Sequence, residues 1–309
     1  MTMLEHIIPP PQYQRAIFSF EENFDHHPWI SWFENNWTIS LWASLVYVVV
    51  IFGLKHYMRD KPKLDLRLPL VVWSFCLAVF SVVCMVRLWQ EYLLYMGEHG
   101  FRGTMCDSFS MYSGVNGFWS FIFVISKLPE LGDTLFVVLR KQKLIFLHWY
   151  HHITVLVYSW YSVSQLVAPG RYFILMNVTV HAIMYSYYAL RASKLTRIPR
   201  PVNMAITFLQ TSQMFVGVVI NFLALYHRSQ GVECSTTNDN IFWAFLMYAS
   251  YFVLFAHYFY QAYFAPKPKP QKMDANANGV VHTNGMHQNG MQHNGVVSNG
   301  HSCSSLKKD

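Results

Sequence analysis

Residues 148–152 read His148-Trp149-Tyr150-His151-His152, inside an otherwise apolar run from Leu144 to Trp160. On a helix, offsets of three and four residues place His148, His151 and His152 on one face within about one turn. A single histidine on an apolar helix is often a satisfied core residue. Three on one face at membrane depth are costly to bury, so the stretch is read as a functional site inside a membrane helix.

The surrounding composition agrees. Of 309 residues, 53% are hydrophobic and only 13% are charged, about half the charged share of an average soluble domain. The expected architecture is therefore an all-α, polytopic membrane protein. Seven apolar segments lie near the roughly 20 residues a crossing requires: residues 37–53, 68–88, 115–139, 144–160, 172–190, 203–226 and 241–263. Lipid-exposed backbone must be bonded internally, so each is expected to be a helix. Residues 1–36 lack a continuous apolar core, and the first span is expected to act as its own signal. This divides the chain into a lumenal N-terminal segment (1–36), a seven-helix membrane domain (37–263) and a disordered cytosolic tail (264–309). The tail has repeated Asn-Gly pairs with His and Ser and no apolar period.

Basic residues orient the array. Lys55 to Arg67, Arg140 to Lys143, Arg191 to Arg200 and the tail lysines fall on one side, while few Lys or Arg fall on the other. The positive-inside rule puts the N-terminus outside the cytosol and the C-terminus in it. The net charge of +7 thus reflects loop distribution and calls for no nucleic-acid partner. Cys106 and Cys234 both fall on the non-cytosolic side, where a disulfide between them is expected. Asn36-Trp37-Thr38 is a glycosylation sequon on that side, though it abuts the first span.

Other polar residues share the depth of the histidines. Lys127, Glu130 and Asp133 approach the cytosolic end of the third span. His181, Tyr185, Tyr187 and Tyr188 lie in the cytosolic half of the fifth, and Thr207, Gln210 and Gln213 sit one to three turns into the sixth. One shared cavity open to the cytosol explains this placement most economically. Two chemistries need clustered imidazoles. A histidine-box di-iron desaturase or hydroxylase would require more ligands than the five membrane histidines supply. Nucleophilic and acid–base catalysis needs only imidazoles that titrate near neutrality. A seven-span receptor or transporter is the non-enzymatic rival.

Four stretches carry a resemblance. Lys127-Leu128-Pro129-Glu130-Leu131-Gly132-Asp133-Thr134 resembles the KxxExxDT signature of the ELO family of fatty-acid elongases. His148 to His152 matches its HxxHH box. His181-Ala182-Ile183-Met184-Tyr185-Ser186-Tyr187-Tyr188 matches HxxMYxYY, and Thr207, Gln210 and Gln213 match TxxQxxQ. The resemblance covers about Trp37 to Tyr263. It implies a 3-oxoacyl-CoA synthase of the endoplasmic reticulum membrane, with six of seven helices forming a barrel around an acyl tunnel. Such enzymes condense acyl-CoA with malonyl-CoA, releasing CO2 and CoA, without a metal or other cofactor. Trp149-Tyr150 and Pro129 resemble the subgroup that extends saturated and monounsaturated chains of the palmitoyl type. Implied partners are the lipid bilayer, a 3-ketoacyl-CoA reductase, a 3-hydroxyacyl-CoA dehydratase, an enoyl-CoA reductase and a second copy of the chain. By the same resemblance, His151 is the nucleophile, His181 polarises the second thioester, and His148 and His152 tune His151. Asn177, Lys127, Tyr185, Tyr188, Gln210 and Gln213 contact substrate, and Arg140, Lys141, Lys143, Lys194 and Arg197 are candidates for the CoA phosphates.

Overall fold

The computed structural model describes residues 18–22 and 24–266. The expected tail and its histidines lie outside the described residues, apart from its first three positions. Among the described residues the chain is all helix and loop. In order these are α1 (Ser19–Glu22), α2 (His27–Asn36), α3 (Ile39–Tyr57), a single 3-10 turn (Met58–Asp60), α4 (Arg67–Cys106), α5 (Phe109–Tyr112), α6 (Gly114–Glu130), α7 (Asp133–Leu139), α8 (Phe146–Ser164), α9 (Gly170–Ser193), α10 (Arg200–Ser229) and α11 (Asn238–Tyr263).

Among the described residues, five helices are long and apolar enough to cross a membrane: Ile39–Asp60, which includes the 3-10 turn, and α4, α9, α10 and α11. The lipid-facing character is plain on α3 and α4, where Trp42, Val46, Val49, Leu68, Phe75 and Val86 are all exposed. The expected third and fourth spans fall on α6–α7 and α8, which do not reach that threshold. The third is two helices joined at Leu131–Gly132. There Leu131 and Gly132 keep right-handed backbone angles, and their N–H groups bond three residues back to Leu128 and Pro129, which tightens the turn into a 3-10 step. Gly132 is required there: a Cβ would lie 2.9 Å from Trp73 Cζ2 and 3.0 Å from the Pro129 carbonyl. The fourth span is α8, diluted by its histidines, serines and tyrosines.

The second expected span also differs. Residues after Leu88 were expected to leave the membrane as a mixed loop, yet α4 continues to Cys106 with a break at Gly100 (φ 64°). The polar residues that suggested a loop form a stripe at helical spacing: Arg87, Glu91 and Tyr95 are all buried and face the interior.

Among its described residues, the N-terminal segment contributes to the core through α1 and α2. Ile30 and Phe33 on α2 are fully buried and join Trp119, Phe121, Leu156 and Trp160 in one cluster. Phe33 meets the Trp160 ring edge-on at 5.2 Å between centroids. Glu21, fully buried, accepts from Arg87 Nε at 2.9 Å and Nη2 at 3.0 Å, and from the Trp119 indole at 2.7 Å. That fork-on-fork pair pins α1 between α4 and α6.

Cys106 and Cys234 are joined by a disulfide. The same corner is stitched by backbone bonds from Ser235 N–H to Cys106 O and from Ala168 N–H to Ser235 O. Arg171 reaches the corner from the first turn of α9, donating to Asp107 O and Ser110 Oγ with its guanidinium over the Tyr95 ring.

Candidate active site

Three helices build the site: α6 with its α7 continuation, α8 and α9. On α6, Lys127 and Glu130 are both buried, and Lys127 Nζ lies 2.8 Å and 3.0 Å from the two Glu130 oxygens. Ser126 Oγ donates to Glu130 Oε1 at 3.2 Å, and the Lys127 ammonium sits 4.1 Å from the centre of the Phe123 ring. An unpaired charge in this setting would cost several kcal/mol, so each partner makes the other tolerable.

Lys127 spends a third donor on Asn177 Oδ1 at 2.9 Å, across to α9. Asn177 Nδ2 lies 3.2 Å from His181 Nε2, one turn further along α9. His181 Nδ1 faces Glu130 Oε1 at 3.8 Å. The first and third sequence motifs thus close into one buried ring: Glu130, Lys127, Asn177, His181 and back to Glu130.

The box histidines lie on α8, which bonds α6 through Trp160 and α7 through His148. His148 Nε2 is 3.0 Å from Thr134 Oγ1, which is in turn 2.7 Å from Tyr47 OH on α3. The His148 and His152 rings lie 4.7 Å apart, and those of His151 and His152 5.7 Å apart. His151 rests against Tyr251 of α11, ring centres 4.9 Å apart, while Tyr251 OH bonds Thr154 Oγ1 and the His151 carbonyl. His151 is close enough to His181, Lys127 and Glu130 for their charges to interact.

Asp133, next on the first motif, accepts from Trp73 Nε1 at 2.6 Å and from Tyr185 OH at 2.7 Å. Tyr185 therefore braces the α6–α7 step. Tyr188 is half-buried beside Tyr185, ring centres 6.3 Å apart. Gln210 Nε2 contacts Met184 Sδ at 3.1 Å, and Gln213 is buried one turn on. Thr207 bonds Asn203 O and Tyr263 OH. Of the rim residues, Arg140 is half-buried, while Lys141, Lys143, Lys194 and Arg197 are exposed; Lys141 donates to the Arg59 carbonyl. Asn36 is half-buried at the end of α2, its side-chain amide donating to Trp32 O.

Sequence reasoning missed Tyr47, Trp73, Ser126, Thr154 and Tyr251. Thr134 ends the first motif and so carried a signal. The others are isolated residues in apolar helices, and only the packing of α3, α4 and α11 reveals them.

Among the described residues, the group close enough to share an ion is Asp25, His26 and His27, on the α2 side and apart from the box.

Comparison with known families settles the relationship. The model of the ELO: GNS1/SUR4 family matches residues 32–271. This chain belongs to the ELO family. It is 50% identical over 259 residues to "Very long chain fatty acid elongase 6" of Gallus gallus, covering 83% of this chain and 96% of that protein. To the protein of the same name in Homo sapiens it is 47% identical over 258 residues, with the same two coverages. "Very long chain fatty acid elongase 3" of Homo sapiens is 42% identical over 253 residues, covering 82% of this chain and 92% of that protein. The ELO match begins at Trp32, inside α2, in keeping with the burial of that helix. The resemblance carried by the four motifs is confirmed.

Proposed function

We propose that this chain condenses a long-chain acyl-CoA with malonyl-CoA to give 3-oxoacyl-CoA, CO2 and CoA. That it is a fatty acid elongase rests on its family and on near-half identity with named elongases. The observation that carries the reaction is the buried chain from Glu130 through Lys127 and Asn177 to His181, with the His148–His151–His152 box on α8, which bonds α6–α7 through Trp160 and His148.

In the proposed sequence a ring nitrogen of His151 attacks the thioester carbonyl carbon. The carbon–sulfur bond breaks, CoA leaves as the thiol, and an acyl-imidazole remains. Malonyl-CoA then loses CO2, and the electrons of that carbon–carbon bond form an enolate. The enolate carbon attacks the acyl carbon, the carbon–nitrogen bond breaks, and His151 is restored. His148 and His152 orient His151, Lys127 and Asn177 act through His181, and Tyr185, Tyr188, Gln210 and Gln213 support substrate from neighbouring turns. Arg140, Lys141, Lys143, Lys194 and Arg197 are placed to meet CoA phosphates at the rim.

Palmitoyl-type saturated and monounsaturated chains are the proposed substrates, supported by Trp149-Tyr150, by Pro129, and by relatives bearing the elongase 6 name. We place the chain in the endoplasmic reticulum membrane with the N-terminus lumenal. We propose seven crossings, α6–α7 and α8 together with the five long apolar helices, six of them forming a barrel around an acyl tunnel. Its product is a 3-oxoacyl-CoA, so a reductase, a dehydratase and an enoyl reductase must follow.

The test uses purified protein, radiolabelled malonyl-CoA and palmitoyl-CoA. Label in 3-oxostearoyl-CoA with wild type and none with His151→Ala supports the proposal. Label with both discards His151 as nucleophile, and label with neither across a panel of acyl lengths discards the reaction.

A further inference from the structure

The ring of contacts around His181 decides which of its nitrogens carries the proton. Lysine has donors and no acceptor, so the Asn177 atom 2.9 Å from Lys127 Nζ must be the carbonyl oxygen. The other end of the same amide, Nδ2, therefore faces His181 Nε2 at 3.2 Å and must donate to it. A proton on Nε2 would point at an N–H. A neutral His181 accordingly carries its proton on Nδ1, on the side of Glu130.

We infer that Lys127 and Asn177 are positioning residues that lock His181 as the Nδ1–H tautomer and so restrict it to donating a hydrogen bond. This rests on the condensation proposed above. With Nε2 occupied by Asn177, the free polar atom of His181 is a donor, suited to the oxygen of a thioester or of the enolate formed after decarboxylation. It is unsuited to nucleophilic attack, which needs a free lone pair. The 3.8 Å gap to Glu130 Oε1 is longer than a hydrogen bond, so the Nδ1–H is not held there and is left for a substrate oxygen. Two histidines of the same residue type thereby acquire opposite roles from their neighbours: His151 attacks and His181 donates. Glu130 holds Lys127 in place, and Lys127 in turn sets the amide, so the first motif acts on the third through one side chain.

Asn177→Asp tests this with nearly unchanged shape. A carboxylate still accepts from Lys127, but it also accepts from His181, which moves the imidazole proton to Nε2 and turns Nδ1 into an acceptor. The protein is labelled with 15N-histidine, reconstituted in lipid and read by solid-state NMR, with His181 assigned by the loss of its signals in His181→Gln. Wild type is expected to show a pyrrole-type nitrogen at Nδ1 and a pyridine-type nitrogen at Nε2, and Asn177→Asp to exchange them. Its kcat for 3-oxoacyl-CoA is expected to fall at least about 100-fold, the scale of one lost oxyanion donor, with KM for acyl-CoA within about threefold. A protonated Nε2 in neutral wild-type His181 overturns the inference without recourse to any variant. So does an exchanged tautomer with kcat unchanged. Should wild type make no 3-oxoacyl-CoA, the proposed reaction fails while the tautomer is still read from the spectrum, so the two failures are told apart.

Discussion

Cutting the Glu21–Arg87 pair should loosen the whole end of the molecule that α1 and α2 cover. Glu21 is fully buried and Arg87 is 3% exposed, so neither solvent nor lipid headgroup screens them. Glu21→Ala leaves a guanidinium buried without its carboxylate and deprives the Trp119 indole of its acceptor. Removing one member of such a pair costs about 3–5 kcal/mol. At about 2–4 °C per kcal/mol for a chain of this size, the expected fall in Tm is roughly 6–20 °C. Glu21→Leu with Arg87→Met removes both charges, leaving chiefly the indole N–H unpaired at about 1–3 kcal/mol. The double variant should therefore be more stable than Glu21→Ala. The assay is thermal unfolding in detergent, followed by tryptophan fluorescence and by loss of monodisperse protein. A Glu21→Ala protein within 2 °C of wild type, or a double variant no better than the single, refutes the reasoning.

Four further outcomes follow from the geometry. Gly132→Leu places atoms where Trp73 and the Pro129 carbonyl lie within about 3 Å and is expected to cost about 1–3 kcal/mol, read as a lower Tm together with lost activity through Asp133. Gly97→Ala meets nothing within 4 Å in α4 and is expected to raise Tm, at about 0.5–1 kcal/mol of helix propensity. Replacing Cys106 by Ser opens a loop of 128 residues, which the chain-entropy model values at about 5 kcal/mol; wild type should run differently on reducing and non-reducing gels and the variant identically. His26, buried at the start of α2, is pushed below its ordinary pKa by desolvation and by His27, so the unfolded chain binds the proton more readily. Stability from this group is full above about pH 6.5 and falls as pH drops through that value, and His26→Gln should flatten that fall in a Tm-against-pH series.

The helical class and the motifs of the candidate site were legible because both rest on local patterns. Apolar runs of membrane length announce helices whatever packs on them, and α3, α9, α10 and α11 lie where those runs lie. The four motifs were legible because each puts several polar side chains on one helical face where burial is costly. Lys127 and His181, read at similar depth, are joined through Asn177.

What escaped the sequence depends on partners distant in the chain. Glu91 and Tyr95 looked like the start of a loop because a charge and a phenol in isolation favour water. Inside α4 they extend a stripe begun by Arg87. Glu21 lies in a segment that lacks a continuous apolar core, and the side chains that hold its buried carboxylate include Arg87 and Trp119, 66 and 98 residues away. Burial of a charge is thus a property of the pair, and a sequence presents its members separately. The same logic governs the site. Lys127 appears in the sequence as a cation in a membrane helix, equally fit to bind a phosphate or to balance a carboxylate. Only its bonds to Glu130 and Asn177 show its charge spent inside the protein and its influence carried onward to His181. The first motif thus works by deciding what a histidine 54 positions later is able to do.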